Sequence, residues 1–329
     1  MQVNEYIDFY ERKKCRLSQE VISDEMFSDD AVGGKTLFSL ISSGTEISVS
    51  YLDVFDWGYP KKSGYSAVFE VDYIGKNVQG IEKGDILFAM GNHCSYQLHN
   101  ANNVVKVKGL KDIKEALFIR MCGVPMATLS RMEIKPGENI LVTGLGTVGI
   151  LAMQVYSNLG YYVIGVDTDI NRVNFAKKLG FDNVYTEIPF DDKTVKGKIG
   201  LCLECSGNEQ AVLGCCNMVR PHGEVSLVGV PWKKCTDISA FEVLNKVFYN
   251  YVKLYSGWEM DLPVNSDKFI HESMIKNYNL ALNMIADGKV KVDDMYSVTS
   301  YKNSQQAYDS IYNKNEEKLS IIFDWRKQK

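Results

Sequence analysis

The sequence predicts an α/β fold in two parts, a β-rich unit and a doubly wound parallel sheet. Three observations predict it. The first third carries short β-branched and aromatic runs separated by Gly, Asn or Lys. From Lys135-Pro136-Gly137 onward, apolar strands alternate with helical stretches. A glycine-rich turn, Gly144-Leu145-Gly146-Thr147-Val148-Gly149, joins the first of those strands to the first of those helices.

Lys35 to Ile41, Ser66 to Ile74, Gly84 to Met90 and Cys94 to Val107 read as strands, and Lys111 to Met132 reads as a helix interrupted at Pro125. After the change of pattern, Asn139 to Thr143 reads as a strand, Thr147 to Asn158 as a helix and Tyr161 to Val166 as a strand. An amphipathic helix over Asp169 to Leu179 follows, stopped by Gly180. Ile199 to Cys205, Gln210 to Val219, Glu224 to Val228, Ala240 to Asn250 and Val252 to Tyr255 continue the alternation. Residues 183–198 have little helical period and read as a loop crossover. Glu272 to Ala286 and Ser304 to Tyr312 read as helices and Leu319 to Trp325 as a last strand, elements that return to the first unit. The expected domains are 1–124 with 256–329, and 125–255.

A length of 329 residues favours two domains over one core. The net charge of -4 supplies no basic footprint, which argues against a nucleic-acid partner. The start, Met1 to Lys14, is mixed and charged, so no secretory leader is read there and a cytoplasmic location is expected. Asn139 to Val166 carries no charge and is long enough for a bilayer, yet its glycines divide it into buried strand, helix and strand; no membrane partner is expected. The eight cysteines then read as reduced thiols. Cys202 and Cys205 fall in a strand, and the adjacent Cys215 and Cys216 in a helix, where neighbours do not share a face, so a four-cysteine zinc site is not expected.

The turn has the context that its chemistry requires. Gly144 permits the tight bend, Gly146 lets backbone approach a diphosphate, and Gly149 lets helix and strand pack closely. The helix start at Thr147 and Val148 presents free N–H groups and a partial positive charge. Asp167, at the end of the second strand, lies roughly twenty residues on, where an acid accepts from the adenosine ribose hydroxyls. A 2′-phosphate there meets a like charge, at about 4 kcal/mol for a pair ~4 Å apart under partial screening. NAD is therefore expected over NADP, with Arg172 the one residue that argues the other way.

Further segments carry a family resemblance. Ile134-Lys135-Pro136-Gly137-Glu138, Val166-Asp167 through Arg172, Glu204-Cys205-Ser206-Gly207, Arg220-Pro221-His222-Gly223 and Val228-Gly229-Val230 together resemble the medium-chain dehydrogenase/reductase family, relatives of zinc alcohol dehydrogenase. The resemblance covers nearly the whole chain. It implies a GroES-like catalytic domain interrupted by a Rossmann domain, with Ser206 near the cofactor and the backbone of Val228, Gly229 and Val230 holding the nicotinamide carboxamide. It departs at the metal. Ser42-Ser43-Gly44-Thr45-Glu46 and Gly64-Tyr65-Ser66 stand where the family has its zinc-ligand segments, with Ser43 for Cys, Tyr65 for His and Ser66 for Glu. The third ligand position falls near Arg120, close to Cys122, and the structural zinc lobe is absent. Hydroxyls are poor zinc ligands, so no catalytic metal is expected. A non-standard set of Glu46, His93 and Cys122 stays open. The S-G-T-E and G-Y-S segments are similar to the branch containing bacteriochlorophyllide dehydrogenase.

Without zinc, a side chain must take the proton of a substrate hydroxyl. The resemblance matches Thr45 to the family's relay hydroxyl. Tyr65 or His93 is expected to handle the proton, with Glu46 also near the pocket. Tyr51, Trp57, Tyr59, Tyr255 and Trp258 are candidates to line a cleft between the domains. Three functions compete. One is an NAD-dependent, zinc-independent dehydrogenase of a secondary alcohol or ketone, polyol or sugar-like. The second is an NAD(P)H-dependent quinone or enoyl-type reductase, and the third a non-catalytic NAD-binding protein. The partner is a small-molecule substrate, and a homo-oligomer, dimer or tetramer, is open.

Overall fold

The computed structural model describes residues 2–326. The chain begins with a hairpin, β1 (Gln2–Glu11) and β2 (Lys14–Ile22), which the sequence pattern does not disclose. The reason is polar burial. Asn4 and Asp8 occupy inward positions, and Asp8 is satisfied there by Ser18 at 2.7 Å and Arg16 at 3.2 Å, so the apolar alternation is broken. There follow β3 (Ala31–Leu40), the single turn α1 (Ser43–Glu46), β4 (Lys61–Lys62), β5 (Ala67–Ile74) and β6 (Ile86–Ala89). The expected strand 94–107 is two strands, β7 (Tyr96–Asn100) and β8 (Val104–Lys106), because the Asn100 side chain caps a turn at Ala101–Asn103. The expected helix over 111–132 is likewise shorter. Only α2 (Ile119–Met126) is α-helical, flanked by 3₁₀ turns, and Pro125 sits inside its last turn without breaking it.

The second part runs β9 (Asn139–Thr143), α3 (Thr147–Asn158), β10 (Tyr162–Val166), α4 (Ile170–Lys178), β11 (Val184–Tyr185), β12 (Ile199–Glu204), α5 (Glu209–Met218), β13 (Val219–Leu227), α6 (Ala240–Tyr249) and β14 (Lys253–Ser256). These strands form one sheet in the order β11-β10-β9-β12-β13-β14, and every pairing is parallel. The order reverses between β9 and β12, and ligands of such sheets bind at the carboxyl ends of the strands flanking that reversal. No helix forms between β11 and β12, in keeping with the weak period of residues 183–198.

The chain closes with α7 (Met274–Ala286), β15 (Tyr296–Ser300), α8 (Ser304–Tyr312) and β16 (Ser320–Asp324). β16 pairs antiparallel with β3, completing the sheet β15-β16-β3-β5-β6-β8 with β7 on β3. β15 leaves no strand pattern in the sequence because none of its five residues is fully buried. The largest apolar cluster joins the β-rich unit to the parallel-sheet unit: Phe38, Val68 and Phe88 on one side, Ile140, Val142 and Leu151 of α3 on the other, with Met121 of α2 and Tyr278 of α7 also in it. The uncharged stretch 139–166 is a strand, a helix and a strand, and no helix among the described residues is long and apolar enough to cross a membrane.

Candidate active site

The glycine turn lies at the carboxyl end of β9, at the reversal point of the sheet. Gly144 has φ +83°, a left-handed conformation that favours glycine, and its N–H donates to Val166 at 2.8 Å. A Cβ on Gly149 would sit 1.8 Å from the Gly144 carbonyl oxygen, so α3 packs onto the turn only because that residue is glycine. Gly146 is the opposite case. A Cβ there would meet nothing within 4 Å, which leaves the helix start open to an approaching group. Gly146 caps α3 without a side-chain bond to the free amides. The Thr147 hydroxyl is engaged with Ser320 at 2.9 Å and the Leu319 carbonyl at 3.1 Å, so Thr147 can serve a ligand through its amide. Val148 is half-buried against the main core.

Asp167 is buried and already held. It accepts from the Leu145 N–H at 2.6 Å and the Asp169 N–H at 2.8 Å, and Arg172 reaches it at 3.2 Å. One carboxylate thus ties the glycine turn to the end of β10. Arg172 is half-exposed and paired with Asp167. Across the reversal point, Glu204 at the end of β12 is fully buried and accepts from the N–H groups of Ser206 at 2.8 Å and Gly207 at 2.9 Å. Burial pushes its carboxyl above the usual value while those bonds pull it back. Val228 and Gly229 donate to the Glu204 carbonyl at 2.9 and 2.6 Å, and a Cβ on Gly207 would strike the Val230 carbonyl. Glu204 therefore organises the wall formed by Ser206, Val228, Gly229 and Val230.

A second cluster gathers hydroxyls at Tyr65, whose ring faces a cation. Tyr65 bonds through its hydroxyl to Ser42 and, at 3.3 Å, to Thr45. The Arg120 guanidinium lies 4.0 Å from the centroid of the Tyr65 ring, and one of its nitrogens donates to the Tyr65 carbonyl at 3.1 Å. Arg120 is 6% exposed and pairs with Glu259 through two bonds of 2.9 and 2.6 Å. Burial works against the Arg120 charge, but the Glu259 carboxylate together with Tyr278 and Tyr65 more than offsets it. Tyr278 donates to the other Glu259 oxygen at 3.2 Å, from a position available because α2 carries Gly123: a Cβ there would fall 2.5 Å from the Tyr278 ring. Ser66 ties β5 to the approach of α2 through the Leu117 carbonyl at 2.8 Å. Burial raises the Tyr65 phenol above its usual value, while the Arg120 charge and the two neighbouring hydroxyls lower it.

Glu46 and His93 meet each other instead. His93 is fully enclosed, with Nε2 3.0 Å from Glu46 and Nδ1 2.7 Å from Ser39. Glu46 also accepts from the Ser42 N–H at 2.7 Å and from Tyr308 at 2.5 Å, and Trp325 donates to Ser39 at 2.8 Å. With Nε2 donating to Glu46, Nδ1 can accept from the Ser39 hydroxyl, which in turn accepts from Trp325. Cys122 lies in the main core with its thiol pushed far up by burial, and among the described residues no three His, Cys, Asp or Glu side chains converge on a metal position. Of the candidate cleft aromatics, Tyr51 is a core residue and Tyr255 donates to Glu224 at 2.8 Å, while Trp57 and Trp258 are exposed. Among the described residues, the buried Tyr59 hydroxyl has no hydrogen-bond partner. Glu259 and Tyr278 carry no chemical signal in the sequence, although Glu259 follows the cleft candidate Trp258 and Tyr278 falls in an expected helix.

Residues 147–260 match the zinc-binding dehydrogenase family model. Over 212 residues the chain is 24% identical to D-arabitol-phosphate dehydrogenase of Enterococcus avium, covering 61% of this chain and 54% of that protein. The chain spans about half the length of the first curated relatives it matches. Galactitol-1-phosphate dehydrogenase from Escherichia coli superposes with a TM-score of 0.82 at 16% identity, over 97% of this chain and 99% of that one. A Sinorhizobium meliloti structure bound to NADP gives a TM-score of 0.76 at 16% identity, over 98% and 100% of the two chains. The fold is that of these dehydrogenases, a GroES-like β-rich domain with a Rossmann sheet.

Proposed function

We propose that the chain is an NAD-dependent oxidoreductase that exchanges a hydride with a secondary alcohol or ketone of polyol or sugar type, without catalytic zinc, acting in the cytoplasm. The observation that carries the reading is the open position above Gly146 at the start of α3, flanked by a buried carboxylate at Asp167. A nicotinamide nucleotide held there would accept or supply the hydride. The amides of Thr147 and Val148 face the diphosphate, Asp167 takes the ribose hydroxyls, and Val228, Gly229 and Val230 offer backbone to the carboxamide. The relative bound to NADP leaves the choice of cofactor to this chain's own residues. Asp167 favours NAD by like-charge repulsion of a 2′-phosphate, and Arg172 is occupied by that same carboxylate.

In this reading Tyr65 exchanges the substrate's hydroxyl proton, and Thr45, within reach of its hydroxyl, bonds the substrate oxygen. With its pKa raised by burial, Tyr65 is protonated at neutral pH and acts as the acid in carbonyl reduction; alcohol oxidation gains speed as pH rises. Glu46 and His93 serve as scaffold, since both are enclosed and mutually satisfied. Three hydroxyls and a guanidinium are a donor set that does not fit zinc, which seeks thiolate or imidazole. The substrate class draws on the polyol-phosphate enzymes that resemble the chain in sequence and fold.

The test is a fluorescence titration with NAD and NADP, followed by a panel of sugar alcohols assayed for NADH formation. Tighter binding of NAD, turnover of secondary alcohols and a fall in kcat of ~100-fold in Tyr65→Phe are expected. Preference for NADP, stoichiometric zinc in the purified protein or an undiminished Tyr65→Phe enzyme would each overturn the corresponding part.

A further inference from the structure

The same ring that carries the proposed proton step has a fixed cation against its face. Arg120 is buried, and its fork is committed on two sides: Nε and one terminal nitrogen to a single Glu259 oxygen, the other terminal nitrogen to the carbonyl of Tyr65 itself. The bond to the Tyr65 carbonyl makes cation and ring one unit, because the guanidinium cannot shift without dragging the residue it faces. Glu259 is in turn fixed by Tyr278, whose phenol is kept protonated by burial and by the Glu259 charge and so remains a donor. A guanidinium in this setting holds its geometry better than a lysine ammonium, since its planar fork is preorganised.

We propose that Arg120, clamped by Glu259, is the positioning cation of this site, stabilising the phenolate form of Tyr65 so that one buried phenol can accept and return the substrate proton. The inference rests on the proton role given to Tyr65 above. A bare buried phenol would hold its proton too tightly to cycle. A positive charge at 4.0 Å from the ring centroid opposes that burial penalty. The other groups that bear on the phenol are the hydroxyls of Ser42 and Thr45, which assist, and the Glu46 carboxylate, which opposes; the ionised form of Tyr278 would also oppose. Arg120 is the cation among them.

The test labels tyrosine with 13C at Cζ and follows the Tyr65 resonance, identified by its loss in Tyr65→Phe, against pH. The wild type is compared with Arg120→Lys and with the double variant Arg120→Met/Glu259→Gln, which removes both charges and leaves no orphaned buried carboxylate. If that pair does not fold, Arg120→Gln/Glu259→Gln gives the same comparison. The midpoint is expected to rise by about one to two pH units in the double variant, or to move beyond alkaline unfolding while the wild type still titrates. Arg120→Lys should restore most of the shift. NAD binding should change by less than about twofold in all of them, a factor worth well under 1 kcal/mol. A Tyr65 resonance that moves at the same pH in wild type and double variant, or in neither, overturns the inference. A structural role alone would not move this midpoint. The outcomes separate from the proton role as well: undiminished turnover in Tyr65→Phe removes that role, whereas impaired turnover with an unmoved midpoint removes only Arg120.

Discussion

The cofactor cradle and the hydroxyl site are built by opposite strategies within one chain. In the cradle, the turn at residues 144–149 and the acid at Asp167 belong to one strand–helix–strand unit, and a single carboxylate links them. The hydroxyl site takes Ser42 and Thr45 from one segment, Tyr65 from a second, Arg120 from α2 and Glu259 from beyond the parallel sheet. A local site is specified by backbone geometry, so glycines mark it. A convergent site is specified by packing between elements, and its members look ordinary one at a time.

The largest expected effect falls on the convergent site. Glu259→Ala strands the Arg120 cation in a buried position and should lower stability by about 3–5 kcal/mol in urea unfolding. A loss below 1 kcal/mol would mean that the pair is exposed to solvent and that the contrast drawn here is too sharp. The cradle offers a comparison between two glycines of the same turn. Gly149→Ala drives a Cβ against the Gly144 carbonyl and should cost about 1–3 kcal/mol. Gly146→Ala has room and should leave stability within about 0.5 kcal/mol. Its NAD affinity should nevertheless fall about tenfold, or roughly 1.4 kcal/mol. Equal stability losses at both positions would break the assignment of one glycine to packing and the other to ligand approach.

A further effect, comparable in size, sharpens how the β-rich unit tolerates its half-buried polar groups. Burial lowers the His99 pKa to about 4, against an ordinary value of 6.5, and Gln97 bonds its ring at 2.9 Å. Below pH 6.5 the unfolded chain takes up a proton that the folded one refuses. The associated stability is therefore fully present above pH 6.5 and lost as pH falls toward 4. Urea midpoints at pH 7 and pH 5 should differ by about 1–2 kcal/mol from this residue, and His99→Gln should remove that portion. An unchanged pH dependence in the variant would place His99 in solvent.

Much of the parallel sheet was legible from the chain alone. Asn139–Thr143 and Thr147–Asn158 have the boundaries that their patterns indicate, because a fully buried parallel strand and a glycine-opened helix each leave a local signature. The hairpin β1–β2 was not legible, since Asn4 and Asp8 point inward and are satisfied by partners on β2 and beyond. Within the hydroxyl site, the S-G-T-E and G-Y-S segments drew attention to Thr45 and Tyr65. Nothing near residue 259 indicates that it clamps Arg120, and the sequence groups His93 with Glu46 only as members of a possible metal set with Cys122, whereas they bond each other.

The sequence by itself determined the alternation of strands and helices, the glycine turn and the acid that follows it, because each depends on backbone freedom and periodicity over a few residues. The tertiary structure alone decided that a guanidinium lies on the Tyr65 ring and that His93 turns to Glu46. Such pairings depend on which side chains a packed core brings within bonding distance, and no stretch of neighbouring residues carries that information.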